Sequence, residues 1–363
     1  MKSPVLSILF LLISVTLLAV PNDFRFRHFS VEDGLSSNSV RAIMQDKYGF
    51  LWIGTEEGLN RYDGIMIKSY SICPQAAGKY ISSLYGTKKN IWIGTDEGIY
   101  IYAYATETFT YFDLTTPNNV RITSIVNHIL QDKDGNLWFS TNGQGLFRYN
   151  LSKNYLEQYE FTSAFGIVAS TMADSDNQIW ALTNQGESGV YKLNKAENKF
   201  EPFGLLYNAG NHHSQALAML EDSEQTLWLG TWECGLQKID KYTRQTTTYL
   251  HPTDGKGVTH IHSLMEYAPH QLLIGSDDGL LLFNTLTEEY KLFTENETVP
   301  NSLSNRFVYP IIKDREGGIW IGTYYGGINY ISPNAEQFES FSHSRLYILI
   351  YFRMVNIQMN HLC

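Results

Sequence analysis

The chain has 363 residues, 18% of them charged and 14% aromatic, and a formal net charge of -10. The aromatic content favours strands over disorder, and the acidic balance argues against a basic groove for nucleic acid. Three cysteines, Cys73, Cys234 and Cys363, are too few for a disulfide framework and contain no C-x-x-C, so they read as unpaired small residues without a structural zinc site.

Residues 1–21 stand apart from the rest. Lys2 gives a small positive region, and 5–20 is an apolar run broken only by Ser7, Ser14 and Thr16. This pattern reads as a secretory signal segment. Ala19 is small but lies in no A-x-A pattern, so an uncleaved membrane anchor is the competing reading. A run of about 16 residues is short for a span. On either reading the remainder is expected to be exported, with the membrane touched only through this segment or through domains beyond the sequence.

One phrase then returns seven times. It reads Leu51-Trp52-Ile53-Gly54-Thr55, and its tryptophan recurs as Trp92, Trp138, Trp180, Trp228 and Trp320, with Leu273 standing in once. These positions are 40, 46, 42, 48, 45 and 47 residues apart. Short strands repeating at this length predict an all-β fold, a single seven-bladed β-propeller with four-stranded antiparallel blades, over 22–343.

Blade 1 shows the unit. Residues 39–45 read as the inner strand and Asp46-Lys47-Tyr48-Gly49 as a turn. Leu51–Thr55 is the second strand, apolar on both faces because each blade is sandwiched between two others. Gly54 leaves room for close backbone approach. Residues 56–58 turn the chain into a third strand, 59–62, and 65–70 forms the rim.

The turn recurs at Asp132, Asp174, Asp222 and Asp314. A calcium loop would need several more ligands, so these acids read as plain turn residues that bond local backbone. Blade 2 uses Thr87 there, blade 4 lacks the glycine after its tryptophan, and blade 6 lacks both tryptophan and Asp turn.

Eight rim strands can be counted for seven blades. Residues 24–29 are expected to pair into the last blade and close the ring, leaving 337–341 outside it. The tail, 344–363, abandons the repeat. Its apolar stretch 346–352 is too short to cross a membrane. It reads as the product of a truncation or frameshift, with a docking helix or strand as the alternative.

The wording of blade 1 is specific beyond its period. Phe29-Ser30-Val31-Glu32-Asp33-Gly34-Leu35-Ser36-Ser37-Asn38 opens it, Gln45-Asp46-Lys47-Tyr48-Gly49-Phe50 leads into Leu51–Thr55, and Gly58-Leu59-Asn60-Arg61-Tyr62-Asp63-Gly64 follows. Blade 7 repeats much of this with Ser302-Leu303-Ser304-Asn305, Asp314, Gly317 and Ile319–Thr323. Over about 24–341 the chain resembles the two-component regulator propeller repeat. The resemblance implies the periplasmic N-terminal sensor region of a hybrid two-component system of Bacteroidetes, with oligosaccharides as typical ligands. It also implies a second propeller, an immunoglobulin-like module, a membrane helix, a kinase, a receiver and a DNA-binding domain, none of which this sequence contains. A chain without them is not expected to signal alone.

Ligand contacts are expected from hairpins between second and third strands and from loops before inner strands. The candidates are Trp232 and Glu233 of blade 5, Tyr324 and Tyr325 of blade 7, and His212, His260, Asn305 and Arg306. Aromatic rings beside polar groups suit a sugar, and an acidic mouth disfavours a polyanionic one. Packing between loops, or against a neighbouring propeller, is the alternative for the aromatics. Glu56, Glu57, Asp96, Glu97, Asp277 and Asp278 read foremost as solvated turn residues.

No catalytic residue, metal or cofactor is expected. Residues 131–139 are also similar to streptogramin lyase propellers, in which a histidine acts beside a metal. That similarity makes His212, His213, His260 and His262 the enzyme candidates, but a complete ligand set is missing. The Asp turns resemble sialidase Asp boxes, without the arginine cluster a sialidase needs. A non-catalytic scaffold that forms a homodimer or docks a neighbouring propeller is the other alternative.

Overall fold

Each repeat folds into a meander because short β-rich runs alternate with tight turns, and no meander can bury both its faces alone. A computed structural model describes residues 24–73, 79–161, 166–183, 189–204, 215–252 and 257–333. The chain divides into two units, Phe26–Tyr330 and Met1–Arg25 with Ile331–Cys363. The first unit is the propeller. In the second, residues 24–25 and 331–333 are described. The tail and the surplus strand 337–341 lie outside the described residues, as does the signal segment.

Blade 1 consists of Val40–Gln45, Leu51–Thr55, Gly58–Tyr62 and Ile67–Tyr70, paired antiparallel in that order. Blades 2 to 6 repeat the order over 81–111, 126–159, 168–204, 216–249 and 263–293. Blades 4 and 6 form despite their departures from the repeat. Blade 7 contributes three strands from 308–331 and takes its fourth from Arg27–Phe29. The pairing is Arg27 with Tyr330, His28 with Asn329 and Phe29 with Ile328. Inner strands neighbour one another in sequence order, and the first meets the last, so the ring is closed.

Phe29 fastens this closure. Its buried ring lies 5.6 Å from Trp320 of blade 7 and 5.1 Å from Tyr62 of blade 1. All five residues of Leu51–Thr55 are buried, and so are those of Leu137–Thr141, Ile179–Thr183, Leu227–Thr231 and Ile319–Thr323. The glycine in the phrase has a steric reason. A Cβ on Gly54 would lie 2.5 Å from Ile81 Cγ2, where the inner strand of blade 2 crosses.

The turn aspartates are bound more deeply than a plain turn requires. The tryptophan six residues later donates its indole N–H to the carboxylate: Trp52 to Asp46 at 2.8 Å, Trp138 to Asp132 at 2.8 Å and Trp180 to Asp174 at 3.0 Å. Trp228 to Asp222 at 2.7 Å and Trp320 to Asp314 at 2.8 Å complete the set. The other carboxylate oxygen accepts backbone N–H groups of the turn, as Asp46 does from Tyr48 and Phe50. Blade 2 breaks the rule. Thr87 spends its hydroxyl on Asn90, and the buried Trp92 Nε1 has no partner among the described residues.

Turns of adjacent blades are also tied together. Arg315 of blade 7 donates from its backbone to Gln45 Oε1 at 2.9 Å and from its guanidinium to Asp46 O at 2.6 Å. Ser223 of blade 5 donates its N–H to Glu266 of blade 6 at 2.9 Å.

Removing a buried donor that has a partner costs more than removing one that has none. Trp138→Phe removes one of two donors to Asp132 Oδ2, leaving Asn136 Nδ2 at 2.9 Å, whereas Trp92→Phe removes an unbonded N–H. In urea unfolding, Trp138→Phe should therefore destabilise by about 1–2 kcal/mol more than Trp92→Phe. Equal losses would show that the Asp–Trp bond contributes nothing. Phe29→Ala should cost about 3–4 kcal/mol by the same measurement, as for an aromatic removed from a packed core.

Candidate functional site

The hairpin end of each second strand is fixed by the last residue of the phrase. Thr55 Oγ1 donates to Gly58 O at 3.0 Å and accepts from Glu57 N at 3.2 Å. Thr231 and Thr323 hold their hairpins the same way, donating to Gly235 O at 2.8 Å and Gly327 O at 3.0 Å. These hairpins present Glu56, Trp232, Tyr324 and Tyr325.

Beside them the inner strands are irregular. Register shifts follow Val40, Ile81, Val126, Val168, Ala216 and Val308. A bulge turns one side chain out of the sheet's alternation. The residues at this place are Arg41, Ser82, Asn127, Ala169, Leu217 and Tyr309. His262 holds the equivalent place in blade 6, next to Ile261, which crosses Gly230 as Ile81 crosses Gly54.

This ring of seven is lopsided. Ser82 and Asn127 bond the backbone of the next blade, to Val126 O at 2.8 Å and Val168 O at 2.9 Å. Blades 4 and 5 offer only Ala169 and Leu217. Blades 6, 7 and 1 place large polar or aromatic groups in contact. His262 stacks on Tyr309 with ring centroids 4.2 Å apart and planes 12° from parallel. Tyr309 lies 5.6 Å from Tyr324, which meets Tyr325 edge-on at 4.4 Å. The Arg41 guanidinium lies 4.6 Å from the Tyr324 ring, 4.9 Å from Tyr309 and 5.6 Å from Tyr80 of blade 2.

Trp232 extends the wall into blade 5, its ring centroid 3.8 Å from that of His260. His260 takes a left-handed backbone with φ 50, uncommon for a residue with a side chain. Two backbone bonds to blade 5 hold it there, His260 N to Trp232 O and Ile261 N to Thr231 O, both 3.0 Å. Such strain persists only where surrounding contacts enforce it, and it clusters at functional sites.

Two carboxylates organise the charges. Asp277 bonds both histidines, His262 Nε2 at 2.8 Å and His260 Nδ1 on its other oxygen. Burial pushes the Asp277 carboxyl up, but the bonds and charges of His262 and His260 outweigh it and hold the group below its usual range. Glu56 Oε1 accepts from Arg41 Nε at 3.1 Å and Nη2 at 2.9 Å. Burial opposes the Arg41 charge, while Tyr80, Glu56, Tyr309 and Tyr324 together raise its pKa. Burial likewise raises the Tyr309 and Tyr324 phenols, with Arg41 opposing.

The structure thus brings Trp232, His260, Tyr324 and Tyr325 into one wall. Glu233 is exposed on the same hairpin as Trp232. Asn305 lies against Gly326 of the hairpin that carries Tyr324 and Tyr325, and the Asn305 side chain and the Arg306 N–H both reach Glu295 Oε2, at 3.2 and 3.3 Å. His212 and His213 lie outside the described residues. Four of the acids read as solvated turns are instead engaged. Glu56 pairs with Arg41 and Asp277 with the histidines. Asp278 accepts from Thr259 N at 2.8 Å, and Glu97 pairs with Lys79. Hairpins this close to a bulged strand find donors within reach, which a turn in isolation does not.

Arg41, Tyr80 and Tyr309 were missed by reading the sequence as alternating strands. For Arg41 and Tyr309 the signal was spacing: the bulge residue stands eleven before the tryptophan position in six blades and ten before it in blade 2, where it is Ser82 and not Tyr80. Among the described residues, no group of three or more His, Cys, Asp or Glu is placed to hold a metal ion. His260 and His262 both turn a nitrogen onto Asp277 instead.

Comparison with known proteins follows the repeat. The model of the two-component regulator propeller matches residues 34–57, 120–143 and 302–325, which belong to blades 1, 3 and 7. The chain therefore carries two-component regulator propeller repeats. A stretch of 68 residues is 46% identical to histidine kinase P4 of Formosa agariphila, covering 19% of this chain and 5% of that protein. The extracellular domain of a hybrid two-component system from B. thetaiotaomicron superposes with a TM-score of 0.72 at 26% identity, over 85% of this chain and 42% of that one. The chain thus spans less than half the length of that domain. Virginiamycin B lyase of Staphylococcus aureus gives 0.66 at 15% identity over 85% of this chain and 99% of its own, a likeness of fold.

Two acid responses follow. Asp277, held below its unfolded pKa, stabilises the fold above that unfolded value and loses the contribution as pH falls through the folded one. The stability gap between the native protein and Asp277→Asn should be widest near neutrality and narrow below about pH 4. His128, on the inner strand of blade 3, keeps a little surface yet is enclosed by protein, and burial pushes it down to about 4 from 6.5. It must stay neutral, so its contribution is lost as pH falls from 6.5 towards 4. Relative to His128→Gln, the native protein should lose up to about 3 kcal/mol across that window in pH-resolved urea unfolding. Parallel curves would show that His128 titrates normally.

Proposed function

We propose that this chain is the ligand-sensing propeller of a hybrid two-component regulator, exported to the periplasm, and that its mouth binds a neutral oligosaccharide. The observation that carries this reading is the one-sided wall of aromatic rings whose charged groups are already paired. Arg41 is satisfied by Glu56, and Asp277 by two histidines. A charged ligand would have to break one of these pairs, whereas a neutral polyol can stack on Trp232 and Tyr324 and add hydrogen bonds at their edges. Export rests on the apolar leader and on likeness to a domain that is itself extracellular. The kinase and DNA-binding steps would belong to partners or to further domains of a longer protein.

Docking to a second copy or to a neighbouring propeller is supported separately by Ile65 and Met66, 92% and 62% exposed at one rim hairpin. Sedimentation over a concentration series would reveal a dimer, and Ile65→Asp should abolish it.

Ligand that binds only the native state raises the unfolding midpoint, by about 2.7 kcal/mol of stability at a hundred times its dissociation constant. A thermal-shift series with neutral and acidic oligosaccharides should give a shift for one neutral class, lost in Trp232→Ala and in Tyr324→Ala. A shift that survives both substitutions would place binding elsewhere. No shift for any sugar would refute the reading.

A further inference from the structure

A second polar recess lies away from the mouth, between the outer strands of blade 4 and the rim hairpin of blade 5. Its volume is about 360 Å³, and Lys192, Lys195, Arg244, Phe203, Asn194 and Glu201 contribute to its lining. Three cations against one carboxylate is unusual in a chain of net charge -10.

The carboxylate does not neutralise them. Glu201 stands directly across the strand pair from Lys192, yet its Oε1 accepts from Asn194 Nδ2 at 2.8 Å. Among the described residues none of Lys192, Lys195 and Arg244 forms a salt bridge.

Two of the cations are placed by aromatic rings. The Lys192 ammonium sits 5.3 Å from the Trp180 ring and 6.0 Å from Phe203. The Arg244 guanidinium sits 5.2 Å from the same Phe203, reaching across from blade 5. Phe203 is buried and packs edge-on to Trp180 with centroids 4.7 Å apart, so both cations stand on a rigid base. Arg244 holds a left-handed backbone, φ 62, in a turn where its N–H bonds Asp240 O at 2.9 Å. Cation–π contacts orient these heads without consuming their charge or their donors. Arg offers a fork of N–H groups and Lys a point charge, the combination that recognises tetrahedral oxyanions.

We propose that this recess between blades 4 and 5 binds a phosphate or sulfate group through Lys192, Lys195 and Arg244. It is separate from the mouth and does not depend on the function proposed above.

The test is isothermal titration of the full chain with inorganic phosphate and, in a separate arm, with sodium sulfate. Ionic strength is held constant with chloride. Saturable binding of one or both at a single site is expected. The double variant Lys195→Gln/Arg244→Gln changes two exposed residues and should fold normally by circular dichroism, while weakening binding at least tenfold. Lys192→Arg keeps the charge over Trp180 and should retain binding within about threefold. Sulfate binding alone would identify the group as sulfate, and phosphate binding alone as phosphate. A heat no larger than that of chloride would overturn the proposal, as would equal affinity in the double variant. Loss of the response on Trp232→Ala, with the double variant unaffected, would assign the anion to the mouth and also overturn it.

Discussion

A tryptophan pressed between two sheets brings a large apolar area and one N–H that cannot be buried unbonded without cost. The rest of this propeller depends on how that donor is answered. The answer is a carboxylate six residues upstream, which also ties down the turn joining the first two strands. One side chain therefore sets the geometry of the turn, the seat of the indole and the spacing to the adjacent blade. Blade 6 dispenses with both partners, using Leu273 in a strand whose five residues, Gln271–Gly275, are all buried. Blade 2 keeps the buried ring without the acceptor and still pairs all its strands.

Fixed blades make an irregular mouth possible. Because the second strands and their threonine hairpins repeat closely, the bulged inner residue of each blade is delivered to an equivalent place whatever its identity. Some of these residues, Ser82 and Asn127, tie blades together, while others change what the ring presents. The inner-strand residues of blades 2 to 5, Ser82, Asn127, Ala169 and Leu217, carry neither charge nor aromatic ring, while blades 6, 7 and 1 build a stack from His262 through Tyr309 to Arg41. A similar fold is shared with a lyase at 15% identity, so the fold by itself does not decide function.

The seven blades were legible because a buried tryptophan recurs at nearly constant spacing, and the closing strand because eight rim strands were counted for seven sheets. The Asp–Trp bond was hidden in plain view. Both residues were noticed and their constant separation was visible, but a turn preference already accounted for the aspartate. Trp232, His260, Tyr324 and Tyr325 could be placed near one end of the ring from loop position alone. The bond that His260 makes to Asp277 could not, although the Asp277 hairpin was among those expected at the same end. Asp277 lies in a hairpin seventeen residues after His260, and only the fold makes them neighbours. Arg41 and Tyr309 were passed over for a different reason: a bulge of one residue breaks the alternation by which strand faces are read, and only their constant spacing from the tryptophan position marks them.

The three-residue strand that completes blade 7 also imposes an order on folding. Arg27 and Tyr330 are paired although about 300 residues separate them. During synthesis Arg27–Phe29 emerges before the other described strands of the propeller and must wait for its partner until the last sheet has been made. Six blades can assemble from local meanders as they appear, but the ring cannot lock until its two ends meet. That contact is of the least local kind, and such contacts form slowly. Until it forms, one edge of Ile328–Ile331 is open and the Trp320 ring is uncovered on one side. A stalled or shortened chain would therefore expose a sticky seam at a single blade while the others look finished, and that seam is where misassembly between copies would begin.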